Sequence, residues 1–230
     1  MTTESANLGV VLSGTGGIWR VRQDDEVIVD ASLRGRVKKS NAGRRADGSL
    51  RRDTVSSAAS TLKLAVGDRV RLERDDDEGA WAIAEILPRR SQLARRAPGG
   101  GRGERVVAAN VDQVVVVFAA ANPEPHPRML DRFLVIAEAN ELSARVVINK
   151  VELVGGADAA RERWRDYERA GYAVHLTSVK QREGLEPLRA ALSGVVSVLT
   201  GPSGVGKSSL LNTMFPGLDL RVGEISESVN

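Results

Sequence analysis

The sequence predicts two folds in tandem. A small closed β barrel over residues 1–90 is followed by a parallel α/β sheet over residues 108–230, with a basic, glycine-rich linker over 91–107. Three observations predict this arrangement. Short runs with period-2 alternation fill the first ninety residues, and no long helical pattern separates them, which is the signature of a small all-β fold. After Ala108, continuous apolar runs alternate with helical patterns, as in a doubly wound sheet with helices on both faces. The last apolar run, Val195 to Thr200, opens into Gly201, Gly206, Lys207 and Ser208 at the spacing G-x-x-x-x-G-K-S, that of a phosphate-binding loop between a strand and a helix.

Taken in order, the barrel strands are Gly9–Ser13, Ile18–Arg22, the run Glu26 to Leu33, Asp68–Glu73 and Ala80–Leu87. Turns are expected at Gly14-Thr15-Gly16-Gly17, at Asp24-Asp25 and at the acidic stretch 75–79. Ile18, Arg20 and Arg22 alternate with Trp19 and Val21, so one face of the strand is apolar. An oligonucleotide/oligosaccharide-binding (OB) barrel is the reading that fits five such strands. Glycines 99, 100, 101 and 103 mark the linker as a mobile connection. In the second fold, Gln113–Ala120, Ala144–Asn149, Ala173–Ser178 and Val195–Thr200 read as buried strands. Helices are expected over Pro127–Glu141, with Leu130, Phe133, Leu134 and Ala137 on one face, over 157–170 with Ala160, Trp164 and Tyr167 inward, and over Gly184–Leu192.

Composition narrows the class. Apolar content of 42% and charged content of 27% are those of a globular protein. No apolar run is long enough to span a membrane, the first ten residues lack the pattern of a signal peptide, and there is no cysteine for a disulfide or a Cys-based zinc site. A cytoplasmic location without a membrane partner is expected. The net charge of +3 is uneven: residues 1–104 carry 19 Lys and Arg against 15 Asp and Glu, and residues 105–230 carry 14 against 15. The basic side chains concentrate at Arg34, Arg36, Lys38, Lys39, Arg44, Arg45, Arg51 and Arg52, which face the single acid Asp47. This loop is a candidate RNA-binding patch; a solvated charged surface is the competing reading.

Chemistry is expected at the ends of the parallel strands. In the loop Gly201, Pro202, Ser203, Gly204, Val205, Gly206, Lys207, Ser208 and Ser209, glycines let backbone N–H groups converge on phosphate oxygens. The helix that follows points its positive end at the same anion. Lys207, the candidate catalytic residue, reaches the β- and γ-phosphates, and the Ser208 hydroxyl is the candidate Mg²⁺ ligand. Asn149, Lys150, Val151 and Glu152 follow a buried strand and resemble the N-K-x-D element of guanine-nucleotide proteins, in which Asn bonds the base edge, Lys packs over the ring and the acid accepts the N1 and N2 hydrogens. Glu152 stands where Asp is usual. A lost charge-assisted hydrogen bond there costs about 1.5–3 kcal/mol, roughly ten- to a hundred-fold in affinity. Thr177-Ser178-Val179-Lys180 ends the third strand and is similar to the element that offers a backbone N–H to guanine O6, with Val179 in place of the small alanine. His126 and His175 have no ligand-like spacing.

Base-reading elements here precede the phosphate loop, the reverse of the usual order, so the second fold reads as circularly permuted. With that order, the chain resembles the bacterial ribosome small-subunit-dependent GTPase A family. The resemblance is carried by residues 109–113 (ANVDQ), 127–134 (PRMLDRFL), Glu138-Ala139-Asn140, Ser178 with Glu183-Gly184-Leu185, Gly201 to Asn212 and Val222-Gly223-Glu224-Ile225-Ser226. It implies a multidomain chain: an N-terminal OB barrel, then a circularly permuted P-loop GTPase domain, incomplete at its C-terminal end. It further implies binding of GTP and GDP with Mg²⁺. Hydrolysis would be stimulated by the small ribosomal subunit during its late maturation, with contact to ribosomal RNA by a monomeric factor.

Neither a switch segment nor a D-x-x-G segment follows Ser208, and the family's Cys/His zinc module does not appear. Zinc is therefore expected only in a C-terminal module outside these residues. The 230 residues are expected to be the N-terminal part of a longer protein and not to turn over GTP alone. Two further readings stay open: an RNA-binding assembly module whose nucleotide site has decayed, and a P-loop ATPase or kinase.

Overall fold

Glycines at positive φ and the alternating strands set where the described chain turns, and it divides into two units, Met1–Asn110 and Val111–Asn230. The computed structural model describes residues 7–33, 64–74, 79–96, 104–218 and 220. The basic residues Arg34, Arg36, Lys38, Lys39, Arg44, Arg45, Arg51 and Arg52 lie outside the described residues, as does the acidic turn 75–78.

In the first unit, β1 (Leu8–Thr15), β2 (Ile18–Gln23), β3 (Ile28–Leu33), β4 (Arg69–Arg74) and β5 (Trp81–Ile86) close into a barrel in the order β1-β2-β3-β5-β4, with β4 pairing back onto β1. β3 and β5 run parallel and the other pairs antiparallel. This five-stranded closure is OB-like. The period-2 pattern puts Val11, Val21, Ala31, Val70, Leu72, Ile83 and Ile86 inside. β1 is longer than its sequence suggests. Gly14 and Thr15 continue the ladder opposite Trp19 and Ile18, and a bulge between Val11 and Ser13 resets the register. Only Gly16 and Gly17, both at positive φ, form the turn.

The 91–107 stretch holds two strands. β6 (Gln92–Arg96) and β7 (Glu104–Ala109) pair antiparallel, and their side chains Leu93, Ala94 and Ala109 are buried. Alternation in the flanks of a glycine cluster is enough to build a hairpin, and a mobile connection is not what the described part of the stretch shows. Residues 97–103 lie outside the described residues. Within the unit, Arg89 makes a two-pronged ion pair with Asp68 (2.7 and 2.9 Å), and Asp68 also accepts the Ala65 amide at 2.8 Å.

In the second unit, β8 (Gln113–Ala119), β9 (Ser143–Asn149), β10 (Ala173–Thr177) and β11 (Ser197–Thr200) form a parallel sheet in the order β10-β9-β8-β11. Helices α1 (Pro127–Ala139), α2 (Ala157–Arg169), α3 (Leu185–Leu192) and α4 (Lys207–Met214) connect or follow the strands. β8 is central and every one of its residues is buried. Val115, Val117 and Ala119 share a core with Leu188 of α3 and with Leu210 and Met214 of α4. The alternate residue Phe118 meets Phe133 of α1 edge-on on the opposite face. The chain steps from β8 outward to β10 and then returns to β11 on the other side of β8. That reversal places the crevice for a ligand beyond the carboxyl ends of β8 and β11. Tyr167 is not a core residue: Ala160 and Trp164 are the buried side chains of α2, while the Tyr167 hydroxyl donates to Asp131 at 2.8 Å. Its polar tip needs a partner that the core does not offer. Among the described residues no helix is long and apolar enough to cross a membrane.

Candidate functional site

The loop Gly201–Gly206 leaves β11 and leads into α4. Gly201, at φ +140°, lies so close to β8 that a Cβ would stand 2.0 Å from the Val117 carbonyl oxygen. Gly204 and Gly206 also take positive φ, and a Cβ on Gly206 would stand 2.5 Å from the Asn149 Nδ2. Glycine is required at both ends of the loop by contact as well as by dihedral angle. Val205 between them is fully buried in the core with Leu210 and anchors the loop. Pro202 and Ser203 form its outer side, and Ser203 is exposed.

Gly206 is the N-cap of α4, and the Leu210 amide makes the first helical bond, to the Gly206 carbonyl at 2.9 Å. The amides of Lys207, Ser208 and Ser209 therefore have no intrahelical acceptor. They form the positive end of the helix. The Lys207 Nζ folds back to the carbonyls of Gly201 (2.9 Å) and Pro202 (2.6 Å), which spans the loop with a cation. Burial pushes its pKa down from the ordinary lysine value. The half-buried Ser208 sits one residue further along the first turn. Among the described residues no cluster of His, Asp or Glu could hold a metal. A single hydroxyl suits Mg²⁺, which keeps several waters and takes its remaining oxygens from phosphate.

The second set of predicted residues meets this loop directly. Asn149 ends β9 and is 2% exposed. Its Nδ2 donates to the Val205 carbonyl at 2.9 Å, and its Oδ1 accepts from the Thr177 hydroxyl at 3.1 Å. One Nδ2 hydrogen remains to meet an acceptor, and a purine edge with N7 and O6 is of that kind. Lys150 adopts a left-handed conformation (φ 62°) and donates to the Gly204 carbonyl at 2.8 Å and to the Asn122 carbonyl. Burial lowers its pKa, against the opposing charge of Glu152. Val151 is fully buried and pins the 3-10 turn Val151–Val154. Glu152 Oε2 is buried without a hydrogen-bond partner, an acceptor waiting for donors of the kind that guanine N1 and N2 provide. Ser178 is buried, its amide donates to Glu183 at 3.1 Å and its Oγ accepts from the Gln181 amide at 3.0 Å. Val179 packs against the core of α3 and α4.

The task of the Thr177 side chain and the presence of Asn122 escaped the sequence reading. Thr177 is in register with Asn149 across the parallel ladder, and only that register reveals its hydroxyl as the group that orients the Asn149 amide. Asn122 acts through its carbonyl, which no residue pattern marks.

The stretch that holds these residues is matched by a known family. The RsgA GTPase family matches residues 86–230. The chain belongs to this family. An RsgA from Gemmatimonas aurantiaca, described as a small ribosomal subunit biogenesis GTPase, is 53% identical over all of this chain and 69% of its own length. The RsgA of Azotobacter vinelandii, under the same description, is 45% identical over 71% of the chain, which spans 47% of that relative. Of solved structures, YjeQ from Thermotoga maritima aligns with a TM-score of 0.68 at 34% identity, covering 94% of this chain and 68% of that one. YloQ, described as a circularly permuted GTPase, aligns at 0.61 and 27% identity over 92% and 65%. The RsgA architecture of OB-like barrel and permuted GTPase sheet is thus the one expected from the sequence, and the family is one of GTP-hydrolysing enzymes.

Proposed function

We propose that the chain binds GTP and GDP at the crevice beyond β8 and β11 and acts in maturation of the small ribosomal subunit, whose particle stimulates its hydrolysis. The observation that carries this reading is the pair of bonds from Asn149 to Val205 and from Lys150 to Gly204, which join the base-reading turn to the phosphate loop. In the proposed complex the open amides of Lys207, Ser208 and Ser209 meet phosphate oxygens, and Lys207 exchanges its carbonyl partners for the β- and γ-phosphates. The Ser208 hydroxyl would hold Mg²⁺, which would supply charge neutralisation for the phosphates. Asn149 and Glu152 read the guanine edge and the Lys150 stem covers the ring. Because the Ser178 amide is engaged by Glu183, the amides of Val179 and Lys180 are the donors this turn has left for the base.

Titration with a fluorescent GTP analogue tests the site: Lys207→Ala is expected to abolish binding, and unchanged affinity would remove the loop from the account. Competition by GTP against ATP tests the base, with Glu152→Ala expected to narrow the guanine preference roughly ten- to a hundred-fold. For RNA, neutralising Arg44, Arg45, Arg51 and Arg52 together is expected to weaken binding to small-subunit particles and to flatten its salt dependence, because each phosphate contact adds to the slope. An unaltered slope would leave the basic segment as solvated surface.

A further inference from the structure

A groove of about 450 Å³ opens between α1 and α2, and none of its lining residues belongs to the nucleotide loops. On α1 the lining side chains Pro127, Asp131, Leu134 and Val135 recur at helical spacing, and Glu138 continues the series. The facing wall is built from Trp164 and Tyr167 of α2, with Tyr172 beyond its end. We propose that this groove docks a basic segment of a partner protein, taking a lysine or arginine whose aliphatic stem lies along Leu134 and the tyrosine rings and whose charged head meets Asp131 and Asp166.

Charge argues for that occupant. Asp131 and Asp166 line the groove, Glu138 accepts the Tyr172 hydroxyl, and Glu124 pairs with the lining residue Arg163 at 2.9 Å. Of the lining residues two are acidic, Asp131 and Asp166, and one is basic, Arg163, which Glu124 already pairs; Arg169 lies 3.8 Å from Asp166. The hydrogen bond to Glu138 pushes the Tyr172 phenol up to about 12, and burial, then the bond to Asp131, raises that of Tyr167, so each phenol is held beside a carboxylate. Arg163 already lies over the Trp164 ring, 5.9 Å from its centroid, which shows that the wall accommodates a cation on an aromatic face. Trp164, 2% exposed, closes the groove from below as a buried ring. Val135 is 62% exposed at the lip. An excess of carboxylates repels phosphates, which argues against RNA as the occupant.

The test uses fluorescence anisotropy of a short labelled peptide of alternating arginine and leucine, with an alternating glutamate–leucine peptide and a single-stranded RNA as comparisons. The arginine peptide is expected to bind and the other two are not expected to bind in the groove. Val135→Arg, an exposed change that leaves the core intact, is expected to weaken the peptide about tenfold by like-charge contact. Val135→Glu is expected to leave it as tight or tighter, and Asp166→Asn to weaken it about threefold. Absence of arginine-peptide binding overturns the proposal. Equal affinity in all variants also overturns it, since the peptide then binds elsewhere. RNA binding that Val135→Arg strengthens overturns it in favour of a nucleic-acid surface. Guanine-nucleotide affinity, which these substitutions do not touch, reports separately on the nucleotide site.

Discussion

Thr177 carries one hydroxyl and that hydroxyl has one visible task, to hold the Oδ1 of Asn149 so that its Nδ2 faces the Val205 carbonyl of the loop. Thr177→Val keeps the shape and removes the donor. It leaves a buried acceptor unpaired at a cost of about 1–3 kcal/mol, so GDP affinity is expected to fall roughly five- to a hundred-fold. Thr177→Ser is expected to restore it, and equal affinity in all three proteins would take Thr177 out of the site. His175 gives a pH signature of its own. Burial, and secondarily the charge of Arg145, hold its pKa below the ordinary 6.5, and its Nε2 has no hydrogen-bond partner. Above about pH 6.5 the imidazole is neutral in folded and unfolded chains alike. Below that pH the unfolded chain takes the proton first, so stability falls until the lowered folded value is passed and then levels. Urea midpoints between about pH 7 and about pH 5 are expected to drop less in His175→Gln than in the parent protein.

At the scale of elements, the loop Gly201–Gly206 after β11 and the turn Asn149–Glu152 after β9 are legible as strand exits because their residues are consecutive and the spacing of glycines, lysine and serine is set by local backbone geometry. Gly201 shows what that spacing hides. Its Cβ-less backbone is needed against Val117 of a different strand, and Gly201→Ala is expected to cost nucleotide binding and well over the ~1 kcal/mol of a merely strained dihedral, as read by denaturant titration. The β6–β7 hairpin was not legible, since glycine density dominated a stretch whose flanks alternate. The Arg89–Asp68 pair was not legible either. Twenty-one positions separate its members, and nothing in either neighbourhood marks them as partners. Both side chains are nearly fully buried (6% and 0% exposed). Arg89→Met is therefore expected to destabilise the barrel by about 3–5 kcal/mol, because it strands the Asp68 carboxylate; Trp19 and Trp81 fluorescence during urea unfolding reports the change.

At the scale of the molecule, the switch of hydrophobic period near residue 108 and the order of the motifs were enough to indicate barrel, sheet and permutation. Tertiary relationships were not accessible in that way. The position of Tyr167 at a groove and the bond between Asn149 and Val205 depend on which helix and which strand become neighbours. If the crevice binds guanine nucleotide, ligand at a hundred times its Kd stabilises the folded form by about 2.7 kcal/mol. Calorimetry is then expected to show an upward shift that Lys207→Ala lacks.

The strand β8 has a partner on each edge and a helical layer over each side, with no residue open to water. In heavy water its amides can trade protons for deuterons only when the whole sheet comes apart. Val114 to Phe118 should thus be the slowest-labelling segment of residues 111–230, an internal clock against which any local loosening of the neighbouring loops can be timed.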